Sequence, residues 1–177
     1  MFFKQKADEP AGPAASESPP DQAVPDSPDQ GVSDSALRDE SGLHALWYLD
    51  LRLREELSRA GRANHIFSLA AWQVKLLPGE LPGPDFQLAC ARLINDTLRG
   101  YDVAAQVGPG SYVAILFDAK HDDARTVTFR LKGELGLKVP SVGRWQAGLA
   151  TYPEDALDGN ELIQVAFRRL EADALAS

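Results

Sequence analysis

From about residue 41 onward, apolar positions recur with two periods. Leu46, Leu49, Leu53, Leu57 and Ala60 fall at helical spacing, with Arg52, Arg54, Glu55 and Glu56 on the other faces. This pattern predicts an amphipathic helix, which Gly61 ends. His65-Ile66-Phe67-Ser68-Leu69-Ala70-Ala71-Trp72 is mostly apolar and reads as a buried strand. Pro78-Gly79 and Pro82-Gly83-Pro84 mark a loop, and a second helix is predicted from Asp85, as N-cap, to Leu98, closed by Gly100. Val103-Ala104-Ala105-Gln106-Val107 and Tyr112-Val113-Ala114-Ile115-Leu116-Phe117 are two strands, and the short Gly108-Pro109-Gly110-Ser111 segment between them predicts a tight hairpin. Ala124, Val127, Leu131 and Leu135 stripe a third helix, which His121-Asp122-Asp123 starts with negative charge at its positive end. Trp145-Gln146-Ala147-Gly148-Leu149-Ala150-Thr151 is a further strand, and Leu162, Ala166 and Leu170 stripe the last helix.

After the first helix the order is β-α-β-β-α-β-α. A β-α-β-β-α-β run is the ferredoxin-like arrangement, so the expected class is α/β in the α+β sense. Its core is a mainly antiparallel sheet, with helices on one or both faces and the central hairpin tip at one edge.

Before residue 41 the periodicity vanishes. The chain there reads Pro-Ala-Gly-Pro, Ser-Pro-Pro-Asp and Val-Pro-Asp-Ser-Pro-Asp, with no aromatic residue from 4 to 37. Such a segment buries too little apolar area to offset its chain entropy. Residues 1–38 are therefore expected to be a disordered, acidic, Pro-rich tail, and residues 39–177 one folded domain. Phe2 and Phe3 with Lys4 and Lys6 suggest a short docking peptide on that tether, a reading that ranks behind a plain solvated tail.

Charge sharpens this division. Residues 1–40 hold nine acidic and three basic side chains, −6 of the chain's −8. The remaining −2 excludes a nucleic-acid-binding surface on bulk electrostatics, though not a local basic pocket. Cys90 is the only cysteine, so no intrachain disulfide forms, which fits a reducing compartment. No signal-peptide core follows Met1, and no apolar run is long enough to span a bilayer, so the expected location is the cytoplasm, without membrane insertion. His44, His65 and His121 are scattered, and no Cys/His/carboxylate cluster has metal-ligand spacing, so neither a metal nor a cofactor is expected. Trp47, Trp72 and Trp145 read as core or interface residues.

Several stretches, in order and at matching spacing, resemble the GGDEF domain of diguanylate cyclases. Asp39-Glu40-Ser41-Gly42-Leu43 is similar to the family's opening Asp-x-Leu-Thr-Gly-Leu, and Arg92-Leu93 through Arg99-Gly100-Tyr101-Asp102 to the end of its second helix. Gln106-Val107-Gly108-Pro109-Gly110-Ser111-Tyr112 stands where the family has Arg-x-Gly-Gly-Asp/Glu-Glu-Phe. Gly148-Leu149-Ala150-Thr151-Tyr152-Pro153-Glu154-Asp155 is close to Gly-x-Ala-x-Tyr-Pro-x-Asp, and Glu161-Leu162 follows at a fitting distance. The resemblance covers residues 39 to 173 and implies the GGDEF, nucleotidyl-cyclase-like fold.

It also implies that no residue here is catalytic. Joining two nucleoside triphosphates needs metal ions, and magnesium takes oxygen ligands. In the family these come from an Asp at the end of the first strand and an acidic residue of the hairpin. Here the strand positions are Ala70 and Ala71, with Trp72 following, and the hairpin positions are Gly110 and Ser111. Pro109 replaces the second glycine and has no N–H to offer a phosphate. The base-reading Phe-Lys-x-x-Asn-Asp becomes Val74-Lys75-Leu76-Leu77-Pro78-Gly79. Trp72, in place of polar chemistry, is expected either to plug the old site or to dock a partner.

A second family site, the inhibitory-site Arg-x-x-Asp that binds cyclic di-GMP, corresponds to Arg99-Gly100-Tyr101-Asp102, five residues before Gly108. A further arginine of the helix after the hairpin falls on Arg130. A third, supplied by the first helix of an adjacent domain, falls on Arg59 or Arg62. A guanidinium donates two hydrogen bonds to the O6/N7 edge of guanine or grips phosphate, and an aspartate accepts from guanine N–H groups. Each residue also has a plain reading: Asp102 as a turn residue, Arg99 as a cation at a helix C-terminus, Arg130 as an exposed helix residue. The expectation is an inactive cyclic di-GMP receptor that signals to an unidentified protein partner, with dimerisation made ligand-dependent where one ligand bridges two domains. The rival is a scaffold that binds no nucleotide and has kept only the fold.

Overall fold

The expected order is realised in a computed structural model describing residues 36–77, 79–139 and 143–175; expectations for residues 1–35 lie outside it. The elements are α1 (Leu46–Ala63), β1 (Phe67–Lys75), α2 (Pro84–Thr97), β2 (Val103–Gly108), β3 (Ser111–Phe117), α3 (His121–Lys138), β4 (Arg144–Tyr152) and α4 (Gly159–Leu175). The strands form one antiparallel sheet in the order β2-β3-β1-β4, with Ala70 opposite Ala114 on one side and Leu149 on the other. This is the ferredoxin-like α+β arrangement that the element order predicts.

Helices cover both faces. Ala70, Trp72 and Val74 of β1 pack with Tyr112 and Leu149 beneath Ile94 of α2 and Leu131 and Leu135 of α3. Phe67, Leu69 and Ala71 point the other way, under Leu49 and Leu53 of α1 and Leu162 and Leu170 of α4. A central strand buried on both faces needs apolar residues at successive positions, which is why β1 reads as a run rather than an alternation. Each such leucine contributes about 1.5–3 kcal/mol on burial. Gly148 lies where α4 crosses β4, and a Cβ there would stand 1.9 Å from the Ala166 carbonyl oxygen, so only glycine permits that approach.

Several boundaries differ from the sequence expectation. Gly61 does not end α1; the helix continues to Ala63 and stops at Asn64, whose φ of 54° is left-handed. Gly83, not Asp85, is the N-cap of α2, with Pro84 in the first turn, where its missing N–H is not needed. β1 starts at Phe67 and runs on to Lys75. On α3 the inward position next to Val127 is Thr128, fully buried, whose hydroxyl donates to the Ala124 carbonyl at 2.7 Å.

Both sheet edges are occupied. Along the outer edge of β4, the Ala147 N–H donates to Asp173, the Leu149 carbonyl accepts from Arg169 and the Thr151 N–H donates to Asp155. Outside β2, the His44 N–H donates to the Ala104 carbonyl at 2.9 Å, closing the turn of residues 39–43 against the sheet. Both edges are thereby withdrawn from pairing with another chain. Among the described residues, no helix is long and apolar enough to cross a membrane.

Candidate ligand site and the hairpin

The two ends of β2 carry the two regions singled out in the sequence. At its start, the α2–β2 turn brings Arg99 and Asp102 next to α3, and Arg99, Asp102 and Arg130 line one pocket of about 370 Å³. Its walls include Thr97 and Leu98 from the end of α2 and Thr126 and Val127 from α3. The Asp102 carboxylate is buried and accepts two backbone N–H groups, from Arg99 at 3.1 Å and Phe117 at 3.2 Å. It thus ties the turn to the end of β3. Burial raises its pKa above the ordinary value, opposed by those two N–H groups and by the Arg99 charge.

The Arg99 guanidinium rests on an exposed phenol: it donates to the Tyr101 hydroxyl at 2.8 Å, with its carbon 5.8 Å from the ring centroid. Arg130 is exposed and reaches Glu134 only at 4.0 Å. Both cations are therefore held loosely enough to turn toward an anionic or guanine-bearing ligand. Arg59 is not brought to this pocket within one chain. It pairs with the buried Glu56 at 2.5 Å, 6.0 Å from the centroid of Phe117.

At the other end of β2, the hairpin is closed. Gly110 has φ 67°, its carbonyl accepts the Val74 N–H, and a Cβ at this position would stand 2.6 Å from the Val74 side chain. No side chain fits there without displacing Val74. The Ser111 hydroxyl accepts from Gln73 at 2.8 Å, and Tyr112 is fully buried, its ring 6.3 Å from that of Trp145. Burial pushes the neighbouring Cys90 thiol up to about 11 and raises the Tyr112 hydroxyl too, so both stay neutral. Pro109 alone is exposed at the tip, and Gly108 sits at a β-bulge after Gln106.

Ala70 and Ala71 are wholly buried on opposite faces of the sheet. Trp72 is also fully buried, and its indole N–H donates to the Thr128 carbonyl at 2.9 Å. Of the two roles expected for it, docking a partner is excluded by that burial; it is a core residue. Trp145 is likewise core, whereas Trp47 is half exposed. Between the turn of residues 39–41, the start of α2 and Gln106 lies a cavity of about 530 Å³ whose charged lining residues are Asp39, Glu40 and Asp85. Among the described residues, no group of three or more His, Cys, Asp or Glu comes together as a metal site.

Compared by sequence, the chain matches no family model and no curated protein. Compared by structure, it is similar to a sensory box/GGDEF family protein from Caulobacter crescentus, at 18% identity and TM-score 0.68, over 80% of this chain and 100% of that one. It is similar to the coiled coil and GGDEF domain of DgcB from the same organism, in complex with c-di-GMP, at 15% identity and TM-score 0.68, over 81% and 83% of the two chains. The FimX GGDEF domain from Pseudomonas aeruginosa gives 17% identity and TM-score 0.67, over 80% and 95%. The chain has the GGDEF fold.

Within the GGDEF fold, sequence reasoning missed three residues near the pocket. Tyr101, read only as a spacer in Arg-x-x-Asp, supports the Arg99 guanidinium. Asp123 and Thr126 line the pocket beside Arg130. Their spacing of seven and four residues before Arg130 puts them on its helix face, a signal that was available from the sequence. Gln87 and Gln106 were also missed; Gln106 donates to Gln87 at 2.5 Å and links α2 to the strand leading into the hairpin.

Proposed function

We propose that this GGDEF-fold protein is catalytically inactive and serves as a receptor for cyclic di-GMP, passing the signal on by protein contact. The observation that carries the reading is the convergence of Arg99, Asp102 and Arg130 on one pocket. Two loosely held guanidinium groups supply donors for phosphate and for the O6/N7 edge of guanine. Asp102 spends one lone pair of each oxygen on the backbone and keeps the other for guanine N–H groups. The pocket has room for one end of such a ligand, leaving the other end for a second domain or a partner. Arg59 or Arg62 of a neighbouring domain would complete a bridged, ligand-dependent pair. The DgcB neighbour, in complex with c-di-GMP, adds plausibility to the ligand class.

Inactivity is supported by the hairpin. Metal-assisted phosphoryl chemistry needs carboxylates facing an open site. Positions 70, 71, 110 and 111 offer no carboxylate and one hydroxyl, already hydrogen-bonded. One observation favours the rival, a scaffold that binds no nucleotide: Asp102 has a sufficient structural role in the backbone bonds it accepts.

Isothermal titration of the purified chain with cyclic di-GMP separates the two. Heat that disappears in Arg99→Ala and Arg130→Ala supports the receptor; no heat from the wild type leaves the scaffold. Incubation with GTP and magnesium tests the other half, and product formation would overturn inactivity.

A further inference from the structure

We propose that the face of α3 around Gly133 and Gly136 is a second ligand site, suited to a flat aromatic monocarboxylate. A glycine inside a helix costs stability relative to alanine, so two of them on one helix need a reason. Packing supplies none here. Both are exposed, and neither has a positive φ. A Cβ at Gly133 would meet nothing within 4 Å, and one at Gly136 would meet only Trp145 Cδ1, at an ordinary 4.0 Å. What the two glycines do is keep an open floor on one side of the helix, where a planar group can lie against the backbone.

That floor belongs to a cavity of about 620 Å³, within the size range of small-molecule sites. Phe129 and Leu137, 40% and 87% exposed, flank the glycines along α3 and give the cavity apolar walls. Trp145 of β4 also lines it and is 4% exposed. Its Nε1 is bonded to Cδ1, the atom that faces Gly136. This indole N–H has no hydrogen-bond partner, whereas that of Trp72 donates to the Thr128 carbonyl. A buried donor without an acceptor is rare in a folded protein, and here it points to an acceptor that arrives with a ligand.

Charge fixes the sign of that ligand. Lys132 lines the cavity but is already paired with Asp173 at 2.6 Å. Arg144 lines it too, is exposed, and has no ion-pair partner among the described residues. Its cross-strand neighbour on β1 is Lys75, a second exposed cation in the same condition. Like charges directly opposite each other repel, and a bound anion relieves both. A carboxylate has one oxygen for the Arg144 guanidinium and one for the Trp145 N–H. An aromatic body on that carboxylate covers the glycine floor between Phe129 and Leu137. The site shares no lining residue with the pocket of Arg99, Asp102 and Arg130, so it stands apart from the nucleotide reading.

Proton–nitrogen correlation spectra of the isotope-labelled full chain read this site directly, because each tryptophan gives its own indole N–H signal. Cinnamate is the probe. It is expected to shift the Trp145 indole signal saturably, with a Kd of a few millimolar or tighter, and to leave that of Trp72 in place. Cinnamamide, of the same shape without the charge, is expected to bind about tenfold more weakly, and Arg144→Gln to weaken cinnamate about fivefold or more. Gly133→Leu fills an open, exposed position and is expected to abolish the shift with unchanged circular dichroism. Where Gly133→Leu misfolds, Arg144→Gln and the amide decide the matter. A Trp145 signal that does not move overturns the proposal. So does equal binding of the amide, or a shift that survives undiminished in the folded variants.

Discussion

At the Gly108 end of β2, the positions that the GGDEF resemblance marks for chemistry are taken up by packing, apart from Pro109 at the exposed tip: Gly110 lies against Val74, Tyr112 in the core and Ser111 on Gln73. At the Asp102 end, eight residues from Gly110, two guanidinium groups stand at a pocket with only an aromatic ring and a distant carboxylate to hold them. The two regions share one strand and one core, so the difference does not arise from the quality of the fold. It arises from what fills the space. A position facing a core can be emptied of polar groups only if apolar atoms replace them, and Trp72 and Val74 supply those atoms beside the hairpin. A pocket between a turn and a helix can keep loosely held cations because water solvates them at little expense.

The strongest test of this contrast is to put the carboxylates back. Ala70→Asp places an unpaired charge in a site with no solvent access and is expected to destabilise the fold by about 4 kcal/mol or more, read from urea denaturation. Gly110→Asp forces a side chain into Val74 at positive φ and is expected to lose about 3 kcal/mol. Neither variant, nor both together, is expected to form cyclic di-GMP from GTP. A stable double variant with cyclase activity would show that the hairpin end is open and the contrast mistaken.

At the other end the expected losses are smaller and divide by role. Asp102→Ala strands the Arg99 and Phe117 N–H groups and is expected to lose about 2–3 kcal/mol of stability, whatever it does to ligand binding. Arg99→Ala and Arg130→Ala remove exposed cations, so stability should hold within about 0.5 kcal/mol. On the receptor reading, each of these two weakens cyclic di-GMP about tenfold or more, ~1.4 kcal/mol by titration calorimetry. Equal destabilisation by all three would mean that the arginines, too, are structural.

Most of the fold was legible because its signals are local. Leu49 and Leu53 carry the helical period of α1, and the Gly108–Ser111 segment announces its hairpin. The misread boundaries are places where two capping signals compete, Gly61 with Asn64 at the end of α1 and Gly83 with Asp85 at the start of α2, and spacing alone does not rank them. In the site, Arg99, Asp102 and Arg130 are legible in the sequence one by one, but their convergence depends on how α3 packs beside the α2–β2 turn, a long-range fact. The double use of Asp102 was hidden for the same reason, since one of its donors, Phe117, is fifteen residues away.

The smallest expected effect is also the one that distinguishes Asp102 from an ordinary surface carboxylate. Burial raises its pKa above the ordinary value, so protonation favours the folded state. Its contribution is full below the ordinary carboxylate range and is lost as pH rises through the raised value. Asp155 has the opposite sign. Burial pulls it up, but hydrogen bonds from Arg169 and the Thr151 N–H, with the Arg169 and His121 charges, outweigh that and lower it. Its contribution is present at neutral pH and is lost as pH falls through the lowered value. Asp102→Asn removes the first titration and leaves the second. As pH falls from 7 into the weakly acidic range, the wild type is expected to gain stability relative to Asp102→Asn, measured by urea denaturation of both at each pH. Parallel curves would place Asp102 in solvent, and would return the start of β2 to the plain turn that its sequence also allows.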